Sequence, residues 1–189
     1  MSKETEKTKE VNSRTGQNPP PLPFAVNSHD DYMALRQALA ALPQIPTVVN
    51  IADAQIEKRP GREYRWLVTS EQSGGTIALH HMILEPGFDA GRHHHPMEEE
   101  FFYILQGQLE MTIGTKSGVF GPGTLAYAPP HATHAFRTFG GKPCHLLHWN
   151  SPGGHERMGH AQEKAAKEQR LNPELRKKIM EDHDFIFHD

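Results

Sequence analysis

The sequence is short of cysteine. Cys144 stands alone in 189 residues, so no disulfide can form within the chain. A reducing, cytoplasmic setting is the expectation. Long apolar runs are missing as well, which excludes a helix crossing a bilayer. The first 30 residues hold no apolar stretch ahead of a small-residue cleavage site, so no secretory leader is expected. Nor is there an excess of one charge. Twenty basic and 23 acidic residues leave −3, too little to draw nucleic acid or an acidic membrane surface. Apolar residues make up only 36%, so parts of the chain are expected outside any core. What the chain has in quantity is histidine. There are 14, and nine fall between His80 and His148.

Composition divides the chain. Residues 1–20 are rich in charge, lack aromatics and end in prolines, so they read as a disordered tail. Residues 21–46 read as an extended proline arm, 19–24, and a short helix. Ser28 caps that helix with Asp31 in capping-box register, Leu35, Leu39 and Leu42 make its apolar stripe, and Pro43 and Pro46 end it. Arm and helix are candidates for exchange across a homodimer, or for capping their own barrel.

From 47 to 154 the pattern is that of strands. Thr47–Ile51, Glu63–Ser70, Thr76–Glu85, 108–113, Thr124–Pro129, His134–Phe139 and Cys144–Trp149 are β-rich runs between glycine and proline turns. Gln108–Ile113 alternates strictly polar and apolar. The expected class is all-β, a sandwich or small barrel, with a short N-terminal helix and C-terminal helices. Residues 155–189 form the helical extension. Its second helix is capped by Asn172 and started by Pro173.

Chemistry concentrates in two stretches. The first runs from Gly87 to Gly107 and contains G-x5-H-x-H-x4-E-x6-G, with His93, His95 and Glu100 at the fixed positions. His93 and His95 are two apart, so on a strand they face one side, about 6.5–7 Å apart at the backbone, and can converge on one ion. Glu100 shares its side-chain phase with Phe102 and Ile104. The second reads Gly123, Pro129, His134 as G-x5-P-x4-H. A strand, a proline turn and a histidine opening the next strand can bring in a fourth ligand.

These stretches resemble the two motifs of the cupin superfamily, over about residues 75–155. The first is matched at every fixed position. In the second, His131 stands where the family has glycine and Thr138 where it has asparagine. The resemblance implies a jelly-roll barrel with a divalent ion on His93, His95, Glu100 and His134. Three imidazoles and a carboxylate leave coordination positions open, as in catalytic sites. The mixed set suits Fe, Mn, Ni, Co, Cu or Zn.

The other candidates have blander alternatives. Glu98 and Glu99 read as solvated loop carboxylates, His94 as pointing away from the ion, and His155 and His160 as surface residues. His81 shares parity with Ile77, Leu79 and Ile83, which would turn it to the interior in place of His80. The same logic leaves His145 and His148 as alternatives. Phe102, Ile104, Met111, Tyr127 and Phe136 read as barrel lining. With His81, His131 and His148 they make the candidate substrate pocket.

The ligand pattern and the Pro152-Gly153-Gly154 segment are similar to bacterial quercetinase-like dioxygenases. That implies an aromatic or enolisable small-molecule substrate, O2 as co-substrate, and Glu100 as ligand and general base together. The alternatives are a cyclase, isomerase or lyase using the same ion without O2, and a non-catalytic small-molecule-binding protein.

Overall fold

Alternating burial builds a two-layered sandwich. The computed structural model describes residues 29–188. The 1–20 tail, the 19–24 arm, Ser28, and the side chains of Asp31, Leu35 and Leu39 lie outside what it describes. The helix α1 (His29–Ala40) forms one unit, and 41–188 the other. A 3-10 turn at Ile51–Asp53 leads into the strands. These are β1 (Gln55–Arg59), β2 (Arg62–Val68), β3 (Ala78–Leu84), β4 (His93–His94), β5 (Glu99–Gln106), β6 (Leu109–Ile113), β7 (Lys116–Phe120), β8 (Leu125–Ala128), β9 (His134–Thr138) and β10 (Cys144–Ser151). Two helices, α2 (His155–Lys167) and α3 (Pro173–Glu181), precede a last short strand, β11 (Ile186–Phe187). Among the described residues no helix is long and apolar enough to cross a membrane.

All pairings are antiparallel. One sheet runs β1-β2-β3-β10-β5-β8 and the other β11-β4-β9-β6-β7. The inner face of β10 carries Cys144, Leu146, His148 and Asn150, every second residue buried. Glu100, Phe102 and Ile104 do the same on β5. Tyr64, Trp66, Met82, Leu84, Leu109, Met111 and Phe136 fill the space between the sheets. Burying each large side chain is worth roughly 1.5–3 kcal/mol. Gly107 turns β5 into β6 at φ +78, and a Cβ there would lie 2.3 Å from the carbonyl oxygen of Pro143. Only glycine satisfies both conditions.

One sequence expectation changes here. Thr47–Ile51 is not a strand. No described strand lies against it, and Val48 is fully exposed. The C-terminal extension does more than decorate the surface. Met158, Ala165, Ile179, Met180 and Phe185 form a second small core. The buried Glu156 accepts a hydrogen bond from the backbone N–H of Ser70 at 2.7 Å, tying the start of α2 to the loop after β2. Asn172 caps α3 as expected, accepting from the N–H of Leu175 at 2.7 Å. The chain then returns to the barrel, where β11 pairs with β4.

Candidate metal centre

The two sheets meet at four buried side chains. β4 supplies His93 and, one residue past its end, His95. β9 supplies His134, directly opposite His93 in register, and β5 supplies Glu100 from the other sheet. All four are 1–2% exposed. One potential ligand atom from each lies within 4.8 Å of the others.

The imidazoles are oriented from behind. His93 Nδ1 lies 3.1 Å from the carbonyl of Gly91, His134 Nδ1 2.9 Å from that of Ala132, and His95 Nδ1 2.7 Å from that of Asp184. A carbonyl only accepts, so each Nδ1 carries the proton and each Nε2 presents a lone pair to the centre. Glu100 Oε2 lies among them, 2.8 Å from His134 Nε2 and 3.5 Å from His95 Nε2, which has no hydrogen-bond partner. Lone pairs facing a carboxylate repel unless a cation lies between them. The donor set therefore fits a divalent ion.

Without an ion, a proton takes that role. Burial opposes charge on His95, but Glu100 outweighs it and holds its pKa up to about 9. Burial, with His134 beside it, pulls His93 down to about 3. Burial would raise the Glu100 carboxyl, yet His95 and His148 hold it well below the usual carboxylate range.

The centre extends in two directions. Glu100 Oε1 lies 3.2 Å from His148 Nε2, and His148 Nδ1 shares a hydrogen bond of 3.0 Å with His80 Nε2. His80 is enclosed by the rings of Tyr64 and Trp66, 4.9 and 4.7 Å between centroids. On the other side, the buried Glu98 places Oε2 3.5 Å from His155 Nδ1. The C-terminal return closes over the second side. Phe185 stacks on His93 at 4.1 Å, and the Asp184 carboxylate accepts from the N–H groups of Met97 and Glu98, each at 2.8 Å.

Residues 80–150 match the family model described as Cupin domain. The fold agrees over a wider span. Ectoine synthase from P. lautus superposes with TM-score 0.53 at 15% identity, covering 62% of this chain and 86% of that one. An RmlC-like cupin from Shewanella frigidimarina gives 0.52 at 16%, covering 60% and 97%. The barrel has the fold of these cupin structures. Among curated proteins, polyketide synthase CurC of Streptomyces cyaneus is 27% identical over 108 residues, 57% of this chain and 70% of that one.

The barrel opens on a cavity of 1080 Å³. Glu100, His93, His148 and Phe136 line it, together with His155 and Phe185 from the extension. Phe102, Ile104 and Met111 are buried in the core and do not line it. His81 turns to the outer face of β3, 5.4 Å from the ring of His145, and it is His80 that faces inward. Tyr127 also lies on an outer face, 45% exposed, and donates a 2.8 Å hydrogen bond to the half-buried Glu99. His94 pairs with His188 at 2.8 Å, away from the centre. His160 is exposed, as expected, but His155 is not a surface residue: its side chain is 10% exposed beside Glu98. Glu98 is likewise buried rather than solvated, because the Asp184 carboxylate fixes its backbone. The Pro152-Gly153-Gly154 turn, which aims α2 back at the barrel, is the one sequence signal for His155. Nothing local marks Asp184 or Phe185.

His131 is exposed in its turn, with φ +65. The cupin pattern has glycine there, and a side chain in this region costs about 1–2 kcal/mol. His131→Gly is expected to stabilise the protein by about 0.5–1 kcal/mol after the entropy lost by glycine is subtracted. A urea denaturation midpoint measures this, and a lower midpoint contradicts it.

Proposed function

We propose that this chain is a metal-dependent cupin enzyme acting on an enolisable, aromatic or polyketide-like carbonyl compound by non-redox chemistry, a cyclisation or isomerisation. The observation that carries the reading is the position of Glu100. One carboxylate oxygen faces the Nε2 atoms of His95 and His134, with His93 in the same cluster, the other lies on His148, and the residue opens on an aromatic-walled cavity.

His93, His95, Glu100 and His134 would hold a divalent ion, which would supply Lewis-acid polarisation of a substrate carbonyl. The chain supplies the rest. Glu100 Oε1 accepts a proton from the carbon beside that carbonyl, and His148 Nε2, 3.2 Å away, stabilises or relays it. Phe136, Phe185 and Phe187 exclude water and offer faces for a flat substrate. The similarity to a curated polyketide synthase supports this class of substrate.

The second reading is a quercetinase-like dioxygenase. The same nitrogen and oxygen donors and the same cavity suit O2 chemistry on a flavonol or 1,3-diketone. Assays with both substrate types, under air and under argon, with each of the six candidate ions, separate the two. Turnover that persists under argon is the expected result. Turnover accompanied by stoichiometric O2 uptake and abolished under argon replaces it with the dioxygenase. Binding without turnover in either atmosphere leaves a non-catalytic cupin.

A further inference from the structure

The cavity that Glu100 opens on has a second wall with different chemistry. Arg59 on β1 and Arg62 on β2 stand opposite each other in register, and both line it. Arg62 shares the face of β2 that carries Tyr64 and Trp66, so it continues the inner wall outward. Arg59 is paired on one side. Its Nε donates to Glu57 at 2.6 Å, and its guanidinium packs against Gly159 of α2, where a Cβ would collide with it, while Nη1 and Nη2 are shielded without a hydrogen-bond partner. Arg62 has no carboxylate partner among the described residues. Its guanidinium lies between two rings, 5.6 Å from Tyr64 and 5.4 Å from Phe88. Its Nε is shielded from solvent and has no hydrogen-bond partner. The other carboxylates on the wall are engaged elsewhere. Glu57 is held by Arg59 and Trp66, Asp89 accepts from the N–H of Gly91, and Glu163 pairs with Lys167. Among the described residues none neutralises Arg62.

A shielded guanidinium donor without an acceptor is costly, and a planar fork held between aromatic faces is ready for a planar anion. We propose that Arg62, with Arg59 beside it, is a carboxylate-binding subsite of this cavity. The substrate is then an aromatic or polyoxo acid, held by its carboxylate at Arg62 while its enolisable carbonyl reaches Glu100. This rests on the reading of the cavity as the active site and names the substrate class for it. The aromatic wall takes the body of the molecule, and Arg62 fixes which end enters first.

The test uses the full chain, titrated by calorimetry with 2-naphthoate and with its neutral isostere 2-naphthamide. Both titrations are done before and after EDTA treatment, and the metal content of every sample is measured. The acid is expected to bind about ten- to a hundredfold more tightly than the amide in both metal states, the range of a charge-assisted hydrogen bond. Arg62→Met is expected to erase that preference and leave amide affinity within about twofold. Arg62→Gln, a polar replacement, is expected to match it, and amide binding reports that each variant is folded. A wild-type chain that binds the acid no more tightly than the amide overturns the proposal. So does a preference that survives in both variants, or one that EDTA removes while the variants keep it, since the ion then holds the carboxylate. Metal content is judged separately. An Arg62-dependent preference in a chain that takes up no ion keeps the subsite and sinks the metal-enzyme reading.

Discussion

Glu100→Gln is expected to lower the affinity for a divalent ion by more than about a hundredfold while leaving the barrel folded. Removing a group that merely orients a ligand costs about 10–100-fold. Glu100 supplies a donor atom itself, and it is the carboxylate of the cluster built by His93, His95 and His134. Glutamine keeps the shape, so the packing of Phe102 and Ile104 along the same face of β5 is not disturbed. It removes the charge that offsets the ion's own and turns an amide against lone pairs that are already aimed inward. Calorimetric titration of the EDTA-stripped protein measures the effect, with a thermal melt as the control for folding. His145→Ala, on the outer face of β10, is expected to stay within about twofold of wild type, as a surface change away from the site should. Equal affinities for Glu100→Gln and wild type would remove the carboxylate from the site.

Ending the chain at His183 is expected to weaken ion binding by at least about 10–100-fold. The segment it removes holds the centre at three points. The carbonyl of Asp184 fixes the tautomer of His95 at 2.7 Å, its carboxylate holds the loop at Met97 and Glu98, and Phe185 covers His93. Without the carbonyl, the His95 ring is free to turn or to protonate at the nitrogen the ion needs. Asp184→Ala is a milder form. It keeps the carbonyl but loses the two loop hydrogen bonds, and it places alanine at φ +66, so a loss of about tenfold is expected. Lys178→Ala, in the same extension, breaks only an exposed pair with Asp182 and is expected to change nothing. Truncated protein that binds the ion as tightly as wild type would show that the C-terminal return is a cover and not a support.

The four candidate ligands are legible in the sequence, and the segment that supports them is not. His93, His95, Glu100 and His134 could be read together because strand parity and motif spacing are local properties, and register does the rest. His80 and His81 could not be told apart. Parity separates two faces but does not say which is inner. Leu79 and Ile83 suggested the face of His81, yet the outer face of the larger sheet is itself apolar. Phe101 and Trp149 stack there at 4.8 Å, and Tyr103, Leu125 and Tyr127 stand exposed beside them. Meanwhile the inner face carries His80, His148, Asn150 and Glu100. Polarity is inverted at this end of the barrel because the site needs buried polar groups. That inversion turned Tyr127 and His81 outward and His80 inward. Asp184 and Phe185 left no trace, since their partners lie about 90 residues upstream and no periodicity links them. Gly107 was legible as a motif position, and the 2.3 Å approach of Pro143 explains it only once β5, β6 and β10 are in place.

Three imidazoles and one carboxylate are proposed to hold a single divalent ion at the inner end of the cavity. The most direct test is the metal stoichiometry of the purified chain, by elemental analysis and by titration with Zn, Ni, Mn, Co, Cu and Fe after EDTA. One tightly held ion per chain is expected, lost in His134→Ala and in Glu100→Gln. A chain that takes up none of these ions, or that holds one equally well in both variants, would contradict it.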